Sequence, residues 1–190
     1  MSDDLSGASA GHAARRAHGG RRATTVLPQA AIAPALPQVR SHLDLAEENG
    51  GAAPWCGPAT LALAAGRSHA EACERLRAVA PAWYPATGPI VTAYWRDLLA
   101  VLRDCEVPYE TLSLPEPRPT LLGLVRQGLE PGWYLLRVTD HFLLLRSHGF
   151  GLVALHDNRH TGVPVTYRTH GRRKVTHAAR LLGGSLVQAG

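Results

Sequence analysis

Cys56 has the setting of a nucleophilic thiol. It begins an Ala- and Leu-rich run that continues through Pro58 and stops at Gly66. Gly57 lets the backbone approach closely, Pro58 fits an early helical position, and Gly66 is typical of a helix C-terminus. A thiol in the first turn of a helix lies at the positive end of the helix dipole, which favours the thiolate. The alternative interpretation is a cysteine buried in an apolar helix.

A nucleophilic cysteine needs a histidine to accept its proton, and that histidine needs a third group to orient it. His141 begins a predicted strand just after a turn, and Asp157 ends a later strand, with Asn158 following. If these strands form a hairpin around residues 147–151, His141 and Asp157 become cross-strand neighbours, about 5 Å apart at Cβ. Taken alone, each residue has an ordinary surface or turn interpretation. Together with Cys56 they predict a catalytic triad, in which Asn158 is the alternative orienting group.

The elements that must position these residues divide into a helical half and a β half. After a short lead-in over 39–48, the Cys56 helix is followed by a helix to residue 79 that a Ser68–Glu71 capping box begins. Apolar periodicity predicts another helix over 92–104, and Thr120 caps a short one over 121–127. Strands are predicted over 107–114, 133–138, 141–146, 152–157 and 163–168, with a final helix over 176–182. Helices followed by an antiparallel sheet predict the α+β class.

Residues 1–38 differ in composition from the rest of the chain. They are rich in Ser, Gly, Ala, Arg and Pro without periodicity, which predicts a disordered basic arm before one domain over 39–190. Residues 1–40 hold five Arg and two Asp, so +3 of the net charge of +5 lies there. No basic stripe with interleaved aromatics follows, so nucleic acid is expected only as a weak partner of the arm.

The three cysteines, Cys56, Cys73 and Cys105, form neither a disulfide framework nor a paired zinc motif. Cys73 and Cys105 fall on apolar helix faces and are predicted core residues. The histidine spacings fit no helical or knuckle zinc motif, so no metal or other cofactor is predicted, and His156 and His160 are interpreted as strand-end and loop residues. The cysteine usage suits a reducing compartment and no apolar run approaches the length of a membrane span, so the protein is expected in the cytoplasm or a virion, with no membrane partner.

The same stretches resemble papain-like cysteine peptidases, in particular the small bacteriophage-encoded and bacteriocin-processing-peptidase-like enzymes. The likeness covers roughly residues 45–170 and lies in four stretches: the cysteine helix over 56–66, the capped helix over 68–76, the strand, turn and histidine over 132–145, and His156-Asp157. The resemblance implies a papain-like fold, in which the nucleophile helix packs on the C-terminal antiparallel sheet. It also implies a Cys-His-Asp/Asn triad that cleaves a peptide or isopeptide bond in a protein or peptide substrate.

Papain-like enzymes usually place a Gln about six residues before the nucleophile, where its amide is an oxyanion donor. This chain has Gly50 there, and Asn49 is the nearest amide, so Asn49 is the candidate donor together with the Cys56 N–H. Two other functions fit the same residues. One is a Cys-dependent amidase or acyltransferase. The other is a catalytically weak or inactive peptidase-like structural protein of a virion, with the arm contacting assembly partners.

Overall fold

The computed structural model of the chain describes residues 40–182, and in this range five helices accompany one five-stranded antiparallel sheet. The predicted α+β class is therefore confirmed, whereas the predicted arm over 1–38 lies outside the described residues. The helices are α1 His42–Glu48, α2 Cys56–Ala65, α3 His69–Val79, α4 Trp95–Asp104 and α5 Leu121–Gln127. The strands are β1 Tyr109–Thr111, β2 Gly132–Val138, β3 His141–Gly149, β4 Leu152–His156 and β5 Val175–Leu181. The strand order is β1-β5-β2-β3-β4.

Helix α2 is the central helix of the helical layer. It begins at Cys56, has eight consecutive buried residues after it, and ends at Gly66 in the left-handed conformation (φ 64°), as predicted. A helix that is apolar all round needs neighbours on every side, and α2 packs against α3, α4 and β3. Gly57 is required where the helix starts, because a Cβ there would collide with the Cβ of Ala93.

The flanking helices begin at local capping signals. Ser68 and Glu71 form the predicted capping box of α3, and the Thr120 hydroxyl caps α5. Helix α4 begins at Trp95 and not at residue 92, since residues 90–94 are not helical and the N-cap Tyr94 has an extended backbone. A tertiary contact favours this start, because the Tyr94 N–H donates to the Tyr84 hydroxyl at 3.2 Å.

The sheet differs from the prediction mainly in the C-terminal part of the chain. Strands β2, β3 and β4 form as predicted, and β1 is shorter. The predicted strand over 163–168 is wrong: only the bridge between Leu155 and Val163 forms, and turns follow. The predicted helix over 176–182 is also wrong, because Val175–Leu181 is strand β5, which pairs with both β1 and β2. Its Ala-rich composition favours a helix locally, but the two flanking strands satisfy its backbone groups instead.

The sheet is buried on both faces, which makes β3 a rigid support. Leu135 and Leu144 contribute to the core shared with the helices, while Leu136 and Leu143 belong to a second core with α5. Alternate residues of a strand point to opposite faces, so one Leu-rich hairpin supplies both cores. Cys73 belongs to the helix-side core, and Cys105 and Cys56 pack against it. None of the helices in the described range has the length and apolar character needed to cross a bilayer.

Candidate active site

Cys56 and His141 line one pocket between the helical layer and the sheet. Cys56 is the first residue of α2, and His141 is the first residue of β3, after a turn at Asp140 (φ 55°). Because α2 packs against β3, the two side chains meet at the ends of these elements. The pocket has a volume of about 210 Å³. Its lining comprises Cys56, Val91, Thr92, Ala93, Arg137, Asp140, His141 and Phe142.

The surroundings of Cys56 favour its thiolate. Burial raises the pKa of the thiol, but hydrogen bonds with His141 and with the backbone N–H groups of Phe142 and Gly57 outweigh it. The net pKa therefore lies below the ordinary value of 9.0. Burial instead raises the pKa of both Cys73 and Cys105 above that value. The cysteine at the helix start is thus the one in this range whose environment is suited to nucleophilic chemistry.

His141 shares a pocket with the Cys56 thiol and is hydrogen-bonded to a buried carboxylate. Burial lowers the pKa of His141, but the hydrogen bonds with Asp157 and Cys56 outweigh this and raise it to about 9. The Nε2 atom lies 3.0 Å from Asp157 Oδ2. A carboxylate can only accept, so Nε2 donates and Nδ1 is the ring atom left for the thiol. The lowered pKa of the thiol and the raised pKa of the imidazole both favour a thiolate beside an imidazolium.

The contact between His141 and Asp157 forms, but not through the predicted strand pairing. The hairpin turns at Phe150 and Gly151, within the predicted range 147–151, but its register pairs Leu144 with His156. Asp157 therefore falls two residues out of register with His141, whose direct partner is Val138 on β2. The carboxylate reaches His141 diagonally across the sheet edge, so the predicted direct cross-strand pairing is wrong in register.

Asp157 is the centre of a larger network than the sequence indicates. It is fully buried, and its Oδ2 also accepts from His170 Nε2 at 2.9 Å. Its Oδ1 accepts from His160 Nδ1 at 3.0 Å and from the Arg159 N–H at 2.8 Å. Burial raises the pKa of this carboxyl, but hydrogen bonds from His141, His170 and the Arg159 N–H hold it well below its usual range. Asp157 is therefore a carboxylate with every lone-pair direction in use.

Sequence analysis missed His160 and His170 as members of the site. His160 is indeed a loop residue, but its position three residues after Asp157 was a usable signal for an Asx-type contact. No sequence signal indicated His170, because most of the segment between Asp157 and His170 was predicted to be a strand over 163–168. His156 ends β4 as predicted, and burial lowers its pKa to about 4, with nearby Arg146 adding to the effect.

Three of these side chains could hold a metal ion. The ligand atoms of His141, Asp157 and His170 all lie within 4.8 Å of one another. In the arrangement described here, two imidazole N–H groups and one carboxylate oxygen satisfy each other by hydrogen bonding. The expectation that the protein uses no metal stays a prediction.

The two candidate amides have other local partners. Asn158 Nδ2 donates to the Pro54 carbonyl at 2.7 Å, so this buried side chain ties the end of β4 to the segment that leads into Cys56. Asn49 Nδ2 donates to the Ala52 carbonyl at 2.9 Å and closes the turn after α1. Neither contact directs an amide at His141 or at the pocket.

Comparisons with family models, with curated proteins and with solved structures give no match to this chain. The function therefore has to be argued from the site itself.

Proposed function

We propose that the chain is a cysteine peptidase of papain-like fold, which cleaves a peptide or isopeptide bond of a protein or peptide substrate. Cys56 is the nucleophile, His141 the general base and acid, and Asp157 the orienting group. The observation that carries the proposal is the placement of His141, which lines the same pocket as Cys56 and whose Nε2 lies 3.0 Å from the buried Asp157 carboxylate. The papain-like assignment is supported by a nucleophile at the start of a buried helix that packs on an antiparallel sheet.

The reaction follows from these positions. The Cys56 thiolate attacks the substrate carbonyl carbon, and the resulting oxyanion accepts hydrogen bonds from N–H groups at the start of α2, which have no partner within the helix. His141 gives its Nδ1 proton to the leaving amine as the C–N bond breaks, which leaves a thioester. His141 then removes a proton from water, whose oxygen attacks the thioester carbon. The C–S bond breaks, which releases the carboxylic acid and returns the Cys56 thiolate beside the protonated His141. Asp157 keeps the imidazole in one tautomer throughout.

The pocket gives the site a mixed lining. Val91 and Phe142 provide apolar contact area, while Arg137 and Asp140 place opposite charges at the same opening. The volume of about 210 Å³ suits one side chain with its flanking backbone more than a large rigid ligand. An extended peptide that presents its carbonyl to Cys56 therefore fits the site well.

Selective labelling of Cys56 tests the proposal. Iodoacetamide at pH 7, with the modified residue located by mass spectrometry, should label Cys56 faster than Cys73 or Cys105, since burial raises the pKa of the latter two. Cys56→Ala should lose that fast label and any peptide cleavage. Equal labelling rates for all three cysteines would contradict the proposal.

Two other functions are distinguished by further assays. A Cys-dependent amidase or acyltransferase would process non-peptide amides or pass its acyl group to an added amine, which product analysis detects. A peptidase-like structural protein of a virion would be present at stoichiometric copy number in purified particles and would show no fast thiol. Location in a host cytoplasm or virion belongs to the same proposal.

A further inference from the structure

His170 joins the candidate site from the loop between β4 and β5. Its Nε2 lies 2.9 Å from Asp157 Oδ2, the same oxygen that accepts from His141. Its ring also stacks on the His141 ring, with centroids 4.3 Å apart and planes inclined by 28°. The side chain is only 17% exposed. One residue thus contacts both the base and the group that orients the base.

The backbone around His170 holds this placement. His170 has φ 63°, in the left-handed region that non-glycine residues rarely adopt. The Gly171 N–H donates to the Thr166 carbonyl at 2.9 Å, and a Cβ at Gly171 would collide with that carbonyl oxygen. Thr169 Oγ1 donates to the Pro164 carbonyl at 2.7 Å. Unfavourable backbone conformations persist only where several contacts maintain them, and they concentrate at functional sites.

We infer that His170 is a positioning residue for the reaction, an inference that rests on the proposed function. Two N–H donors on Oδ2 fix the direction of that oxygen, while His160 and the Arg159 N–H hold Oδ1. The carboxylate therefore cannot rotate away from His141. Stacking holds the His141 ring in one plane, which keeps Nδ1, the nitrogen not bonded to Asp157, available on the side of the pocket that Cys56 lines.

The pH profile of thiol labelling separates positioning from a general contribution to folding. The thiolate alone reacts with neutral iodoacetamide, so the probe for this profile is the anion iodoacetate, which the imidazolium charge attracts. Its labelling rate should fall as His141 loses its proton near pH 9. His170→Ala removes the second donor and the stacked ring, which lets Asp157 and His141 move apart. The expected result is a loss of about tenfold or more in the maximal rate. The pH at which the labelling rate falls on the alkaline side, the upper limb of the profile, should also move from near pH 9 toward 6.5.

Matched variants make the result specific. His170→Gln keeps an N–H donor for Asp157 and should restore most of the rate and the upper limb. His148→Ala, at an exposed position near the far end of β3, should leave both unchanged. Arg137 and Asp140, the other charged groups that line the pocket, are present in every variant. A His170→Ala protein with the wild-type rate and upper limb would overturn the inference, even if it melts at a lower temperature.

A second readout does not depend on thiol reactivity. The His141 ring can be titrated by NMR in Cys56→Ala and in the Cys56→Ala, His170→Ala double variant. If His170 positions Asp157, the pKa of His141 is lower in the double variant. Equal values would overturn the inference. A wild-type protein without a fast thiol would refute the proposed function alone, since this NMR comparison still decides the role of His170.

Discussion

Replacing Asp157 with Asn tests how much of the site depends on one buried charge. His141 has its pKa raised from 6.5 to about 9, a difference worth roughly 3 kcal/mol in favour of the imidazolium. Asp157 and Cys56 both contribute to this increase, against the opposing effect of burial. Because burial opposes both groups, half of the net difference, roughly 1.5 kcal/mol or about one pKa unit, is the least that an even division assigns to the carboxylate. The side chain of His141 is 12% exposed, so screening by solvent is limited.

The expected result for Asp157→Asn follows from that estimate. The pKa of His141 should fall by about one unit, so the thiolate–imidazolium pair should persist only to about pH 8. Between pH 8 and 9 the labelling rate should therefore drop by up to about tenfold from this effect alone. The Asn side chain also has only one acceptor oxygen, whereas the Asp157 carboxylate accepts hydrogen bonds at both of its oxygens. The lost hydrogen bonds should let His141 turn away from its orientation, which lowers the rate further.

Rapid-mixing measurements of labelling by the anion iodoacetate from pH 5 to 10 would provide the profile, with the Asp140→Asn variant as a control for charge at the pocket opening. Asp140 lines the pocket without a hydrogen bond to His141 among the described contacts, so its variant should keep the upper limb near pH 9. An Asp157→Asn protein with an upper limb at the wild-type position would refute the reasoning, because His141 would then be charged for another reason.

Four further predictions concern the supports of the site. Gly57→Ala should destabilise the fold by about 2 kcal/mol in urea unfolding, through collision with Ala93, and adding Ala93→Gly should restore most of that loss. Asn158→Ala should lower the free energy of unfolding by about 1–2 kcal/mol and slow labelling, since the Pro54 carbonyl loses its buried donor. An unchanged free energy of unfolding would contradict a structural role for this hydrogen bond. The raised pKa of His141 contributes stability that is fully present below pH 6.5 and lost as the pH rises through about 9, a dependence that should shrink in His141→Gln. Chelation by EDTA should leave the labelling rate unchanged, and a loss that zinc restores would instead favour a metal at the histidine cluster.

The sequence by itself determined the elements whose signals are local. The start of α2 at Cys56 and its end at Gly66 follow from short-range sterics, and the capping box at Ser68 follows from side chain to backbone hydrogen bonds within one turn. The Leu-rich hairpin that carries His141 was predictable for the same reason, since its apolar residues and turn are contiguous. These elements were enough to nominate Cys56, His141 and Asp157 together.

Only the tertiary structure decided how those residues meet. Strand β5 forms because β1 and β2, distant in sequence, offer it backbone partners, and no local pattern encodes that pairing. The diagonal reach of Asp157 depends on the hairpin turn at Phe150, and the placement of His170 depends on a loop held in a left-handed conformation. Hydrogen bonds to a buried carboxylate are chosen by three-dimensional proximity, which sequence separation does not determine. Cys56, His141 and Asp157 could therefore be selected from the sequence, whereas the contacts of His160 and His170 with Asp157 could not.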